Sequence, residues 1–296
     1  MTLRGSPRFD RSHWPQTWTE EWRVQVADFF AGRGGVGRAL EKWFPRWMYF
    51  GVDNQPYGAE YPGNFVQADL LGPDGPPFQG VVADLIWVSF PCTAYSSLSA
   101  THYGSREAAL KANPRITDDL REWLLDHAAH YVIENVPGAT RAGDLDANCR
   151  ANGLFFGEDF DLERHFETTF EVPDAYVAGD ASVTVDTRTD QSVSALAAAK
   201  GVPKEWGKQA VRSAVPWQFV WWILAHCPSI PIPVPKMEQR SLNEFSGEGI
   251  GRYLRFPDGR LGGTDVDAGD ELQAHHNTAT TASTPPVATS RQGGSP

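Results

Sequence analysis

The chain has 296 residues, 41% of them hydrophobic, eleven tryptophans, and a formal net charge of −11 from 26 Lys and Arg against 37 Asp and Glu. That length holds one sizeable α/β domain with appendages, and the acidic balance argues against a general polyanion binder, because phosphate affinity rests on clustered Lys and Arg. Three cysteines far apart, Cys92, Cys149 and Cys227, with no CxxC pair, argue against a disulfide framework and a zinc site and for a reducing, cytoplasmic setting.

Residues 1–22 form an N-terminal extension in which Trp14, Trp18 and Trp22 recur every fourth position. Pro15 limits any helix there to the residues after it. Met1 to Asp10 has charges but no apolar stretch, so no secretory signal is expected. No apolar run approaches the roughly 20 residues that cross a bilayer; the longest, Trp217 to Cys227, contains Gln218 and His226. A membrane partner is not expected.

Residues 24–30 read as a strand ending in Asp28-Phe29-Phe30, followed by a glycine turn and then Val36, Ala39, Leu40 and Trp43 at helical spacing. Gly32, Gly34 and Gly37 match G-x-G-x-x-G between a strand and a helix, the setting in which glycines let the backbone approach a nucleotide-like ligand at a helix N-terminus. By itself this is equally a tight turn. A second strand, 49–53, ends in Asp53, about 20 residues beyond the glycines, where a carboxylate accepts from ribose hydroxyls. A third, 65–69, ends in Asp69. Three consecutive strands with an acid at or near the carboxyl end (Asp28, Asp53, Asp69), after a glycine turn, favour an adenosine-type cofactor over solvated strand caps.

Residues 84–90 are an apolar strand that Pro91 stops, placing Cys92 where a strand leaves a sheet. Read alone, Cys92 is either a core thiol or a nucleophile at a ligand crevice. Residues 93–116 read as a long polar loop, and Thr117 as the start of a helix through Ile116, Leu120, Trp123, Leu124 and His127. In the fifth strand, 131–136, Glu134 and Asn135 interrupt an apolar run just before Pro137-Gly138. A buried carboxyl is costly unless paired, so Glu134 reads as a group for proton chemistry or as one making local backbone contacts.

Residues 143–152 look helical, and 162–170 strand-like with Arg164 as the notable cation. Residues 173–200 are small, polar and aperiodic. Residues 206–225 are helical, restarted at Pro216. Prolines follow from Pro228, residues 251–256 read as a short strand, and the chain after about Gly262 reads as a disordered tail.

In this order the motifs resemble the cytosine-5 DNA methyltransferase family over roughly residues 24–224. Asp28-Phe29-Phe30-Ala31-Gly32-Arg33-Gly34-Gly35 looks like its cofactor loop, Pro91-Cys92-Thr93-Ala94-Tyr95-Ser96 like its nucleophile motif, Glu134-Asn135-Val136 like its Glu-Asn-Val motif, and Gln209-Ala210-Val211-Arg212-Ser213 like the late helix that completes the cofactor pocket. The resemblance implies a Rossmann-like class I fold, α/β with a mostly parallel sheet flanked by helices. Its catalytic body would be residues 23–172 plus 201–227, with a reduced recognition insert at 173–200, an extension at 228–262 and a tail at 263–296.

It further implies a transferase that flips a cytosine out of DNA in a bacterial, archaeal or phage-infected cell, with S-adenosylmethionine as donor and no metal. Cys92, Glu134 and Arg164 would be catalytic, with Arg164 lowering the pKa of the thiol. The donor would lie on Asp28, Phe29, Phe30, Ala31, Gly32, Gly34, Gly35, Asp53, Asn54, Asp69, Leu70, Pro91, Arg212 and Ser213, and the base on Ser96, Ser97 and Asn135.

Three positions depart from the family's pattern. The recognition region is short, Leu162 replaces one arginine of an Arg-x-Arg pair, and Arg212 stands where the family has Asn. Arg212 raises an alternative donor, carboxy-S-adenosylmethionine, whose carboxylate a guanidinium fork would pair. RNA as substrate, an inactive nucleic-acid-binding relative and a nicotinamide oxidoreductase are the competing readings. The last gives Pro91-Cys92 and Glu134-Asn135 nothing to do.

Overall fold

The computed structural model describes residues 24–72, 83–158, 160–179, 183–184 and 193–228. The expectations for residues 1–22 and for 229–296 lie outside the described residues. Nine strands and eight α-helices alternate along the described chain. In order they are β1 (Val24–Phe29), α1 (Gly35–Trp43), β2 (Tyr49–Asp53), β3 (Asn64–Gln67), β4 (Ala83–Ser89), α2 (Ser97–Tyr103), α3 (Arg106–Ala112), α4 (Asp118–His127), β5 (Ala128–Asn135), α5 (Pro137–Ala142), β6 (Cys149–Asn152), β7 (Phe160–Asp161), β8 (Glu163–Thr168), β9 (Val183–Thr184), α6 (Val193–Lys200), α7 (Gly207–Ser213) and α8 (Trp217–Ala225).

Seven strands form one sheet in the order β3-β2-β1-β4-β5-β8-β6, and β7 pairs with β9 apart from it. The first five are parallel, while β8 runs antiparallel between β5 and β6. This is a Rossmann-like α/β sheet. Its centre is buried on both faces, so β4 reads as a continuous apolar run instead of an alternating one. Successive residues still point to opposite sides. Val26, Leu85, Trp87 and Val132 pack with α1 and α8, whereas Ala27, Ile86, Val88 and Ile133 pack with α4 and α5.

Chain order reverses between β1 and β4, because β2 and β3 extend the sheet one way and β4 and β5 the other. In such sheets ligands bind outside the carboxyl ends of the strands at this switch point. Among the described residues no helix is long and apolar enough to cross a membrane.

Three expectations are corrected. Residues 93–116 are two short helices, α2 and α3, packed on each other. Ser96 and Ser105 cap them by accepting from the N–H groups of Ser99 and Ala108. Residues 143–152 are not a helix: Gly143, with φ of 77°, ends α5, and Cys149–Asn152 is a strand whose partner β8 lies downstream. Residues 173–200 are not wholly without regular structure: Ala175 bridges to Ala151 of β6, and 193–200 form the helix α6, which packs against α7.

Candidate functional site

Phe30 leaves β1 with φ of 56°, a left-handed conformation that non-glycine residues avoid. The turn carries its ring to the edge of a cleft, where it meets Phe90 edge-on at 5.3 Å. The cleft is lined by Phe30, Asp53, Asn54, Ala68, Asp69, Leu70, Leu71, Ser89 and Pro91. These residues follow the carboxyl ends of β1, β2, β3 and β4, so the strand order alone brings them together.

Asp53 shapes the cleft as well as lining it. Its Oδ2 accepts from the Gly32 N–H at 2.9 Å and its Oδ1 from the Gln55 N–H at 3.0 Å. A carboxylate has about four acceptor positions, so this one retains capacity for ligand hydroxyls. Asp69 Oδ1 accepts from the Leu71 N–H at 3.0 Å and turns the chain at the cleft floor. Gly32, with φ of 54°, has no atom within 4 Å of where a Cβ would stand. A side chain there would intrude into open space beside the turn. Gly34 (φ 95°) starts α1 without a side-chain cap.

Pro91 leads into a 3-10 turn, Cys92–Ala94. The Cys92 carbonyl accepts from the N–H groups of Tyr95 and Ser96 at 2.9 and 3.0 Å. The buried Tyr95 hydroxyl accepts from the Ile116 N–H at 2.8 Å and so anchors the far side of the turn. Asn135 anchors the near side: its Nδ2 donates to the Phe90 carbonyl at 2.9 Å. Gly138 permits the fit, since a Cβ there would lie 2.1 Å from the Tyr95 carbonyl oxygen.

Cys92 itself is exposed. Glu134, paired across the sheet with Ser89, is 6% exposed and forms an ion pair with Arg164 Nε at 2.7 Å. Arg164 is fixed in turn by donating from Nη1 to the Glu163 carbonyl at 2.9 Å. Burial holds the Glu134 carboxyl above its ordinary range, with Arg164 and Lys200 opposing. Although the residue is exposed, the protein packed around its sulfur raises the Cys92 thiol by desolvation; Arg164 lowers it and Glu134 raises it further. Arg164 thus acts on the thiol in the expected direction, against a desolvation that is the larger influence.

Other expected site residues lie elsewhere. Asp28 has 0% exposure beneath α1, where its Oδ2 accepts from the Tyr61 hydroxyl at 3.2 Å; it supports the glycine turn from below and does not reach the cleft. Phe29 is buried against Trp123 of α4, at 5.7 Å. Ala31 closes the strand end by donating to the Val52 carbonyl.

Gly34 abuts Tyr61 and Pro62, and Gly35 abuts Ala214 and Val215. Ser96 caps α2, and Ser97 begins it, exposed. Each end of the buried Asn135 amide makes one bond, to Phe90 and to Val136, and so positions the Cys92 turn. Ser213 is exposed and donates to the Gln209 carbonyl. Arg212 is half-buried on α7, outside the cleft lining, and its guanidinium has no hydrogen-bonded or ion-paired partner among the described residues.

Motif reading missed Tyr61, Tyr95, Gly138 and Lys200. Tyr61 threads between Gly37 and Gly51, where a Cβ would come within 2.7 Å and 2.4 Å of its ring. Two glycines facing one aromatic from separate elements leave no local periodicity to detect.

No protein-family model matches the chain, and no curated protein matches it. Among solved structures it is similar to the Entamoeba histolytica methyltransferase EhMeth, at 15% identity and a TM-score of 0.35 over 54% of this chain and 58% of that one. The chain thus matches less than two thirds of that protein's length. Among the described residues no group of three His, Cys, Asp or Glu is placed to hold a metal ion.

Proposed function

We propose that this protein is a cytosine-5 transferase that uses Cys92 as nucleophile on a base in DNA and S-adenosylmethionine as donor. The observation that carries the reading is convergence: the Cys92 turn and the Glu134–Arg164 pair stand at the same sheet edge as the cleft of Phe30, Asp53 and Asp69. The donor fits that cleft. Phe30 and Leu70 offer apolar walls, Asp53 and Asp69 offer acceptors for hydroxyl and amino groups, and Gly32 leaves open the space that a Cβ would fill. Bound there, the donor supplies an electrophilic one-carbon group on a cationic sulfur.

The residues divide the work. The Cys92 thiolate adds to C6 of cytosine, forming an S–C6 bond and moving the C5–C6 π electrons onto C5. Glu134, whose burial keeps it protonated to higher pH than an ordinary carboxyl, donates to N3 and takes up the charge that develops in the ring. C5 would then take the one-carbon group as its bond to the donor's sulfur breaks, leaving a neutral thioether. A water takes H5 as a proton; the electron pair left behind returns to the C5–C6 bond and expels the Cys92 thiolate, and N3 gives its proton back to Glu134. Arg164 keeps the Glu134 carboxyl aimed at the base throughout. Because a duplex base is out of reach in the stack, the reading requires base flipping.

A second reading has one observation in its favour. The half-buried guanidinium of Arg212, without a hydrogen-bonded or ion-paired partner among the described residues, suits a donor that carries a carboxylate, which makes carboxymethyl the transferred group. Trapping with 5-fluorocytosine DNA tests the mechanism, because fluorine at C5 cannot leave as a proton. The expected outcome is a covalent adduct that requires donor and vanishes in Cys92→Ala. Adduct with RNA but not DNA would reassign the substrate, and no adduct with either would refute the transferase reading. Mass spectrometry of unfluorinated DNA treated with each donor separates methyl from carboxymethyl product. Methyl transfer unaffected by Arg212→Asn, with no carboxymethyl product, eliminates the second reading.

A further inference from the structure

Lys200 ends α6 with 0% of its surface exposed, and the chemistry above gives it no task. Burying an ammonium is costly unless it is well bonded, and a methionine of similar length fills the same space without that cost. The ammonium is well bonded. Nζ donates to the Arg212 carbonyl at 2.7 Å and to the Ala214 carbonyl at 2.9 Å. These oxygens lie at the C-terminal end of α7, where a helix has carbonyls without intrahelical donors and carries partial negative charge. Lys200 thus caps α7 from a neighbouring helix.

The capped segment continues directly into the glycine turn's surroundings. A Cβ on Gly35, the first residue of α1, would lie 3.1 Å from the Val215 nitrogen and 3.3 Å from Ala214 Cβ. Lys200 also projects from a fixed point. Gln218 of α8 donates to the Ala199 carbonyl at 3.0 Å, and Gly201, with φ of 69°, turns the chain beneath Trp217. Burial pushes the Lys200 amine well below its ordinary value, with the charges of Arg164 and Arg212 adding to the push and Glu134 opposing it; the two hydrogen bonds to carbonyls need only N–H donors and are made in either protonation state.

We propose that Lys200 is a positioning residue for the donor: its ammonium clamps the end of α7 against the start of α1, and so holds the glycine turn in its binding shape. The inference rests on the donor reading above. Two buried hydrogen bonds are lost in Lys200→Met and leave two carbonyls without a donor, so donor affinity falls about 10-fold or more. The clamp acts on binding and not on bond making, so KM for the donor rises while kcat at saturating donor stays within about threefold.

The test is calorimetric titration of the full chain with S-adenosylmethionine, alongside steady-state kinetics and a thermal scan. Lys200→Gln, which retains a donor for one carbonyl, should fall between wild type and Lys200→Met. Wild-type protein that does not bind S-adenosylmethionine overturns the donor reading and this inference with it. Wild-type binding with undiminished affinity in Lys200→Met overturns the clamp alone, and so does a fall in kcat at constant KM. Loss of fold in both variants would make the ammonium a requirement of folding, and would also overturn it.

Discussion

Cys92 stands between charges of opposite sign, and the resulting balance is measurable. Desolvation by the surrounding protein is the largest influence on the thiol and raises it, Arg164 lowers it, and Glu134 raises it. In the free protein, alkylation of Cys92 by iodoacetamide should therefore rise with pH around a midpoint above the ordinary thiol value of about 8.5. The signs of the perturbations follow from charge. Glu134→Gln removes a negative neighbour and moves the midpoint down, whereas Arg164→Gln removes a positive one and moves it up. S-adenosylmethionine brings a cation close to the thiol and moves the midpoint down. Buried Cys149 and Cys227 react slowly and serve as internal references. A midpoint at or below the ordinary value in the free protein, or no downward shift in Glu134→Gln, would count against this account.

At the scale of elements, the Cys92 turn and the N-terminus of α5 approach so closely that only glycine fits between them. In Gly138→Ala the new methyl would meet the Tyr95 carbonyl oxygen at 2.1 Å, with backbone on both sides and no flexible side chain to yield. The cost of such overpacking is about 1–3 kcal/mol, and relief requires moving the Cys92 turn. Adduct formation with 5-fluorocytosine DNA should fall at least about 10-fold while the protein stays folded; unchanged trapping would show that the turn tolerates displacement.

The same elements explain what could be read from sequence. β1, β2, β4, α1 and α4 carry their periodicity and stop signals in contiguous residues. Thr117 indeed caps α4, accepting from the Leu120 N–H, and Pro216 precedes α8. α2 and α3, at seven residues each, are too short to show an apolar period and depend on serine caps and on each other. β6 was illegible because its partner β8 lies downstream. The strand-end acids were visible as a set, yet only Asp53 and Asp69 face the cleft. What turns Asp28 away is Tyr61, 33 positions on, a contact that no local pattern announces.

Across the whole molecule, the switch point divides the labour of the sheet. The ends of β1, β2 and β3 bring Phe30, Asp53 and Asp69; the ends of β4 and β5 bring Cys92 and Glu134. α7 returns late in the chain to abut the start of α1. A ligand seated in the crevice thus touches segments far apart in sequence, none of which forms a site in the unfolded chain. It binds only the folded state, and its stabilisation obeys mass action, about 2.7 kcal/mol at a free concentration 100 times Kd. For a chain of this size that corresponds to roughly 5–10 °C in Tm. S-adenosylmethionine should produce such a shift in wild type and in Cys92→Ala, because the thiol is not needed to hold the donor. The shift should shrink in Asp53→Ala, which loses both a ligand acceptor and the bond to the Gly32 N–H. A nicotinamide dinucleotide provides the contrast, since it too would use a glycine turn and a strand-end acid. A shift with the dinucleotide and none with S-adenosylmethionine would move the protein to the oxidoreductases and leave Cys92 and Glu134 without a reaction. The opposite result assigns the cleft to a sulfonium donor and excludes the dinucleotide.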